Sequence, residues 1–149
     1  MDTTVNTTVE AVYGADWAWA IPLIAITVMI HAGALQLIGR NVHQLRTGLL
    51  QKHQMAAVGL AATLITCLHA FEALIWAGAY RLLGALPTFH EAILYSLNAM
   101  TSYGKTNLSL ALQWQLMGAL ESLNGWIVFG LSTAMLFSVI QRVWDRTRT

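Results

Sequence analysis

Three long stretches of this chain are almost free of charge. Residues 17–38 carry no formal charge, residues 55–80 carry only Glu72, and residues 116–140 carry only Glu121, near their start. A helix crosses the hydrocarbon of a bilayer with about 20 apolar residues, so each stretch is long enough to span. Composition agrees, with 56% hydrophobic and 10% charged residues, where soluble domains carry about 25% charge. In lipid every backbone polar group must be satisfied internally, and a chain this apolar has helices or a closed barrel open to it. The unbroken runs favour helices. The expected fold is an all-α membrane protein in one domain.

Between the second and third spans lies a polar-tipped insert, residues 87–107. Thr88-Phe-His-Glu91 fits the T-x-x-E capping box, with Pro87 before it, a pattern that starts helices. The predicted helix runs from Phe89 to roughly Met100 and is too short to cross. Thr101-Ser-Tyr-Gly-Lys-Thr-Asn107 then reads as extended or irregular chain. Irregular backbone at membrane depth must be buried in protein or line water, and ion filters are built from such loops. The insert therefore points to a re-entrant pore helix and filter loop.

The expected layout is an extracellular segment over 1–16, a first helix over 17–39 and a cytoplasmic elbow over 40–54. An outer helix over 55–83, the pore helix and filter loop over 84–115, an inner helix over 116–143 and a tail over 144–149 follow. Basic residues set the orientation. Arg40, Arg46 and Lys52 lie between the first two spans, Arg142, Arg146 and Arg148 follow the third, and the first sixteen residues hold Asp2, Glu10 and Asp16 with no base. The positive-inside rule places the amino terminus outside and the carboxyl terminus in the cytoplasm of a cell membrane. No signal peptide is expected, since the start lacks basic residues.

The insert and third span resemble the bacterial potassium-channel-like family, in which an outer helix, pore helix, filter and inner helix form a two-helix pore domain. The resemblance covers roughly residues 55–143. It is carried by Trp114-Gln-Leu-Met-Gly-Ala-Leu-Glu-Ser-Leu-Asn-Gly125, by His69-x-x-Glu72, by Leu82-Leu-Gly-Ala-Leu-Pro87 and by Gly130-Leu-Ser-Thr-Ala-Met-Leu-Phe137. It implies a homotetramer with one quarter of a pore per chain, inorganic ions and the lipid bilayer as partners, and no nucleic acid.

The family filter reads Thr-Thr-(Val/Leu)-Gly-Tyr-Gly-Asp. A gapless register sets Thr101 and Ser102 on the two Thr positions, Tyr103 on Val/Leu and Gly104 on the first Gly. Lys105 then replaces the Tyr, Thr106 the second Gly and Asn107 the Asp. A β-branched residue resists φ > 0, so Thr106 suits a carbonyl-lined filter poorly. Four Lys105 ammonium groups about 8 Å apart, at an effective dielectric constant of about 20, would repel by roughly 2 kcal/mol per pair. Potassium selectivity is therefore not expected, and anion or weakly selective conduction is the concrete reading. Alternatively, Lys105 points behind the filter and pairs with Glu121 or Glu91, the two candidate filter supports. A potassium-selective channel in a shifted register and a non-conducting assembly or partner subunit stay open.

On the third span Glu121, Asn124, Val128, Ser132 and Met135 recur at helical spacing. The stripe either lines the axis below the filter or packs against other helices, and Gly130 is a candidate hinge. His69 and Glu72, three apart, share a helix face. An ionisable pair in a span is a functional hypothesis by default, here a proton or metal site with His31. Its expected role is nonetheless a hydrogen-bonded pair that holds helices together. No catalytic constellation, metal or cofactor is expected, and the chain is not expected to be an enzyme.

Overall fold

A computed structural model describes residues 2–47, 54–104 and 107–144 of the chain. All regular structure among them is helical: α1 (Asp2–Thr47), α2 (Gln54–Leu82), α3 (Phe89–Thr101) and α4 (Gln115–Trp144), with a 3-10 turn at Leu112–Trp114. Three helical segments are long and apolar enough to cross a membrane, Gly14–Asn41, Met55–Leu82 and Leu112–Arg142. The chain is by this measure a multi-pass membrane protein. Around the first span the helix continues in both directions, through Asp2 on one side and Thr47 on the other. The expected extracellular segment and the first part of the elbow are thus one helix with it. Residues 48–53, including Lys52 and His53, and residues 145–149 lie outside the described residues.

Contacts fix the helix directions. Along α4, Met117 meets Asp16 of α1, Asn124 meets Thr27 and Ser132 meets His31, so α1 and α4 run the same way. Tyr80 of α2 meets Glu121, and His69 meets Ser132, so α2 runs against them. α1 packs on α2 and α4, whereas α3 packs on α2 and α4 alone among the described residues. Small residues line the α2 interface: Ala57, Ala61, Ala73 and Ala77 are all fully buried. Such residues let membrane helices approach closely where no hydrophobic force drives them together. Larger side chains close the end where α3 begins, with Trp76, Tyr80, Leu86, Leu110 and Met117 in one cluster.

α2 stops by a Schellman closure. Ala85 N–H donates to Tyr80 O at 2.9 Å and Gly84 N–H to Arg81 O at 3.3 Å, with Gly84 at φ 65°, the left-handed conformation that glycine adopts without a Cβ penalty. After six intervening residues α3 begins as the sequence predicts. Thr88 Oγ1 accepts from Glu91 N–H at 3.1 Å, and Glu91 Oε2 accepts from Thr88 N–H at 3.2 Å, so both halves of the capping box are formed.

Candidate functional site

α3 runs alongside the start of α4 in the same direction. Two glycines of α4 set the approach. A Cβ on Gly118 would collide with the Tyr95 hydroxyl and lie 3.0 Å from Leu110 Cδ1. A Cβ on Gly125 would lie 2.7 Å from Met100 Cα and 2.8 Å from its carbonyl carbon. The carboxyl end of α3 therefore presses its backbone onto α4 ten residues beyond Gln115, or about 15 Å along the axis. From there the chain returns. Ala111 N–H donates to Ala85 O at 3.5 Å, so the excursion ends beside the point where it began.

Glu121 holds the excursion in place. Its carboxylate is fully buried and accepts from Tyr80 Oη of α2 at 2.7 Å and from Ser96 Oγ of α3. One side chain of α4 thus ties α2 and α3 together. The expected pairing of Glu121 with Lys105 falls on a residue outside those described. Glu91, the other candidate partner, is engaged by Thr88. Lys105 and Thr106 lie outside the described residues.

The remaining filter residues depart from a fully extended segment. Thr101 is the last residue of α3, with its hydroxyl bonded back to Leu97 O at 2.6 Å. Hydroxyl residues make such local bonds to the preceding turn when they sit in helices. Ser102 closes α3 in the left-handed region, at φ 52°. Its N–H donates to Ala99 O and that of Tyr103 to Asn98 O, both at 3.1 Å. Gly104 has φ 69°. Tyr103 is exposed in the single chain, and Trp126 Nε1–H donates to Ser102 Oγ at 2.9 Å. Trp126 thus stands on an exposed face of α4.

The polar stripe of α4 turns into the chain. Asn124, Val128 and Ser132 are buried, and Asn124 Nδ2 donates to Thr27 Oγ1 at 2.9 Å. Within the chain these three residues are covered by α1, α2 and α3: Thr27 and His31 on α1, His69 and Ala73 on α2, and Met100 on α3. Gly130 differs, since it is exposed with open space around its Cα. The face of α4 open to other molecules carries Trp126, Phe129, Gly130 and Phe137.

His69 and Glu72 meet as their spacing suggests, and His31 joins them. His31 Nδ1 lies 2.8 Å from Glu72 Oε1, and its Nε2 lies 3.0 Å from Ser132 Oγ. His69 Nε2 lies 3.1 Å from the same Ser132 Oγ, and its Nδ1 is 3.6 Å from Glu72 Oε2. His31 and Glu72 are fully buried. His69 is partly open to a cavity of about 420 Å³ lined also by Thr66, Met100, Thr101, Ser102 and Trp126. The cavity links His69 to the end of α3.

Two contributors carry no signal in the sequence pattern. Asp16 is buried and accepts from the Met117 N–H in the first turn of α4, where free amides and the helix dipole favour a carboxylate. In the sequence it reads as part of an acidic amino terminus. Tyr80 reads as an interfacial aromatic, yet it donates to Glu121. No family model matches the chain, and neither does any curated protein or solved structure.

Proposed function

We propose that the chain is the pore-forming subunit of a homotetrameric ion channel with an altered filter, conducting passively and without potassium selectivity. The observation that carries this reading is the returning excursion. A capped helix of 13 residues enters beside α4, ends about 15 Å along it, and comes back to its starting level at Ala111. A hydrocarbon core is about 30 Å thick, so the turn falls near half depth if α4 spans. Irregular backbone there must be covered by protein or line water. Residues 101–104 are exposed in the single chain, and further copies around an axis supply that cover. The fourfold count comes from the resemblance to potassium-channel-like proteins.

In this assembly Thr101 to Thr106 form the constriction and Lys105 sets its field. Rings of Lys or Arg suit anion pores, whereas the carboxyl end of α3 favours cations through its dipole. Their opposition is why weak or anionic selectivity fits better than a potassium filter. The open face of α4, with Gly130, lines the path below, in place of the buried stripe. Positive-inside asymmetry sets the amino terminus outside and the carboxyl terminus in the cytoplasm.

Reversal potential of the purified protein in bilayers under a KCl gradient tests the proposal, repeated with Lys105→Ala. The expected result is a reversal away from the potassium potential that shifts in the variant. Reversal at the potassium potential would return the chain to ordinary potassium channels. No flux from an intact tetramer would make it a non-conducting assembly.

A further inference from the structure

The His31–Glu72–His69–Ser132 cluster forms a closed ring of four contacts. Hydrogen bonding in such a ring can be counted. A neutral histidine carries one ring N–H, serine one O–H, and a carboxylate none. Two histidines, one serine and one carboxylate thus hold three protons for four contacts. The uncovered contact is His69 Nδ1 to Glu72 Oε2, at 3.6 Å. Glu72 Oε2 is buried with no hydrogen-bond partner. In that state a nitrogen lone pair faces a carboxylate oxygen inside an apolar bundle, where an unpaired charge is costly. The ring is short of one positive charge.

We propose that this ring is a binding site for a divalent transition-metal ion of the zinc class, with His31 Nδ1, His69 Nδ1 and the Glu72 carboxylate as ligands. Each of the three residues offers a donor atom, and these atoms all lie within 4.8 Å of one another. Donors on a tetrahedral zinc, at bond lengths near 2.1 Å, stand about 3.4 Å apart. The His31–Glu72 and His69–Glu72 separations of 2.8 and 3.6 Å bracket that spacing. Two imidazoles and a carboxylate suit zinc and its neighbours, whereas calcium and magnesium prefer oxygen alone.

The surroundings fit as well. With the metal on both Nδ1 atoms, each Nε2–H donates to Ser132 Oγ, which has two lone pairs to receive them. Ser132 thereby fixes both tautomers, the role that partners behind a metal ligand commonly play. His69, with its side chain 27% exposed, opens to the 420 Å³ cavity, which gives the ion an access path and room for water as a fourth ligand. The site makes no demand on whether the chain conducts.

The test uses the full chain, purified in micelles, stripped with a chelator and titrated with Zn²⁺, with Co²⁺ as a spectroscopic probe. The expected result is one ion per chain, retained in a variant lacking His43, His53 and His90. Affinity should fall at least about 100-fold in Glu72→Gln and in His69→Gln, and about 10- to 100-fold in Ser132→Ala. Thermal stability should rise with Zn²⁺ in the parent and not in His69→Gln, which keeps a readout if Glu72→Gln fails to fold. The proposal is overturned if the parent binds no ion, or if binding survives in His69→Gln and disappears with His43, His53 and His90. The missing charge would then be a proton.

Discussion

Gly125→Ala is the sharpest probe of how α3 sits on α4. The added Cβ would stand 2.7 Å from Met100 Cα and 2.8 Å from its carbonyl carbon. Ordinary carbon contacts lie at about 3.5–4.0 Å, so the helices must separate by about 1 Å. The obstacle is backbone, and no side-chain rotation relieves it. Overpacking of this kind costs about 1–3 kcal/mol, against a helix-propensity gain of about 1 kcal/mol for replacing glycine by alanine. Gly78→Ala makes the same chemical change with nothing within 4 Å of the new methyl group. The difference between the two variants isolates the clash, and Gly125→Ala should be the less stable by about 1–3 kcal/mol. Unfolding in mixed micelles gives that difference. Hydrogen exchange at Ser102 and Tyr103, whose amides close α3, locates it, and both should exchange faster in Gly125→Ala. Equal stability of the two variants with unchanged exchange at α3 would refute the close approach and the geometry built on it.

Glu121→Ala should destabilise the fold more than Glu121→Gln, because the amide still offers an acceptor and a donor to Tyr80 and Ser96. Membrane side-chain hydrogen bonds contribute about 0.6 kcal/mol on average and up to about 1.7, so losing two costs about 1–3 kcal/mol, readable in the same unfolding assay. Thr88→Ala should cost about 1 kcal/mol and speed exchange at the Glu91 amide, with Thr88→Ser restoring protection.

What the sequence makes legible here is what local chemistry decides. Apolar runs mark the three long helices, and Thr88 with Glu91 marks the start of α3 to the residue. The polar stripe of α4 is equally plain as a periodicity. What faces it is not, because a stripe shows where polarity lies on one helix and says nothing of its partner. Thr27 and His31 supply that partner from about a hundred residues away, on α1. Separation in the chain likewise hides Asp16 behind Met117, about a hundred residues on, and Tyr80 behind Glu121, 41 residues on. Thr101 differs for a local reason: a threonine at the end of a short helix suits extended chain, yet α3 runs through it and the left-handed turn comes one residue later, at Ser102.

The bonds of α4 bear on how the protein is made. It emerges after α1, α2 and α3 during synthesis, and it brings the amide for Asp16, the acceptor for Tyr80 and Ser96, and the hydroxyl shared by His31 and His69. Until it arrives, Asp16, Tyr80, Ser96 and the Nε2 atoms of both histidines lack the α4 partners they have in the fold. A chain halted before α4 would lack these bonds, so α4 completes the polar bonding of the fold as well as its packing.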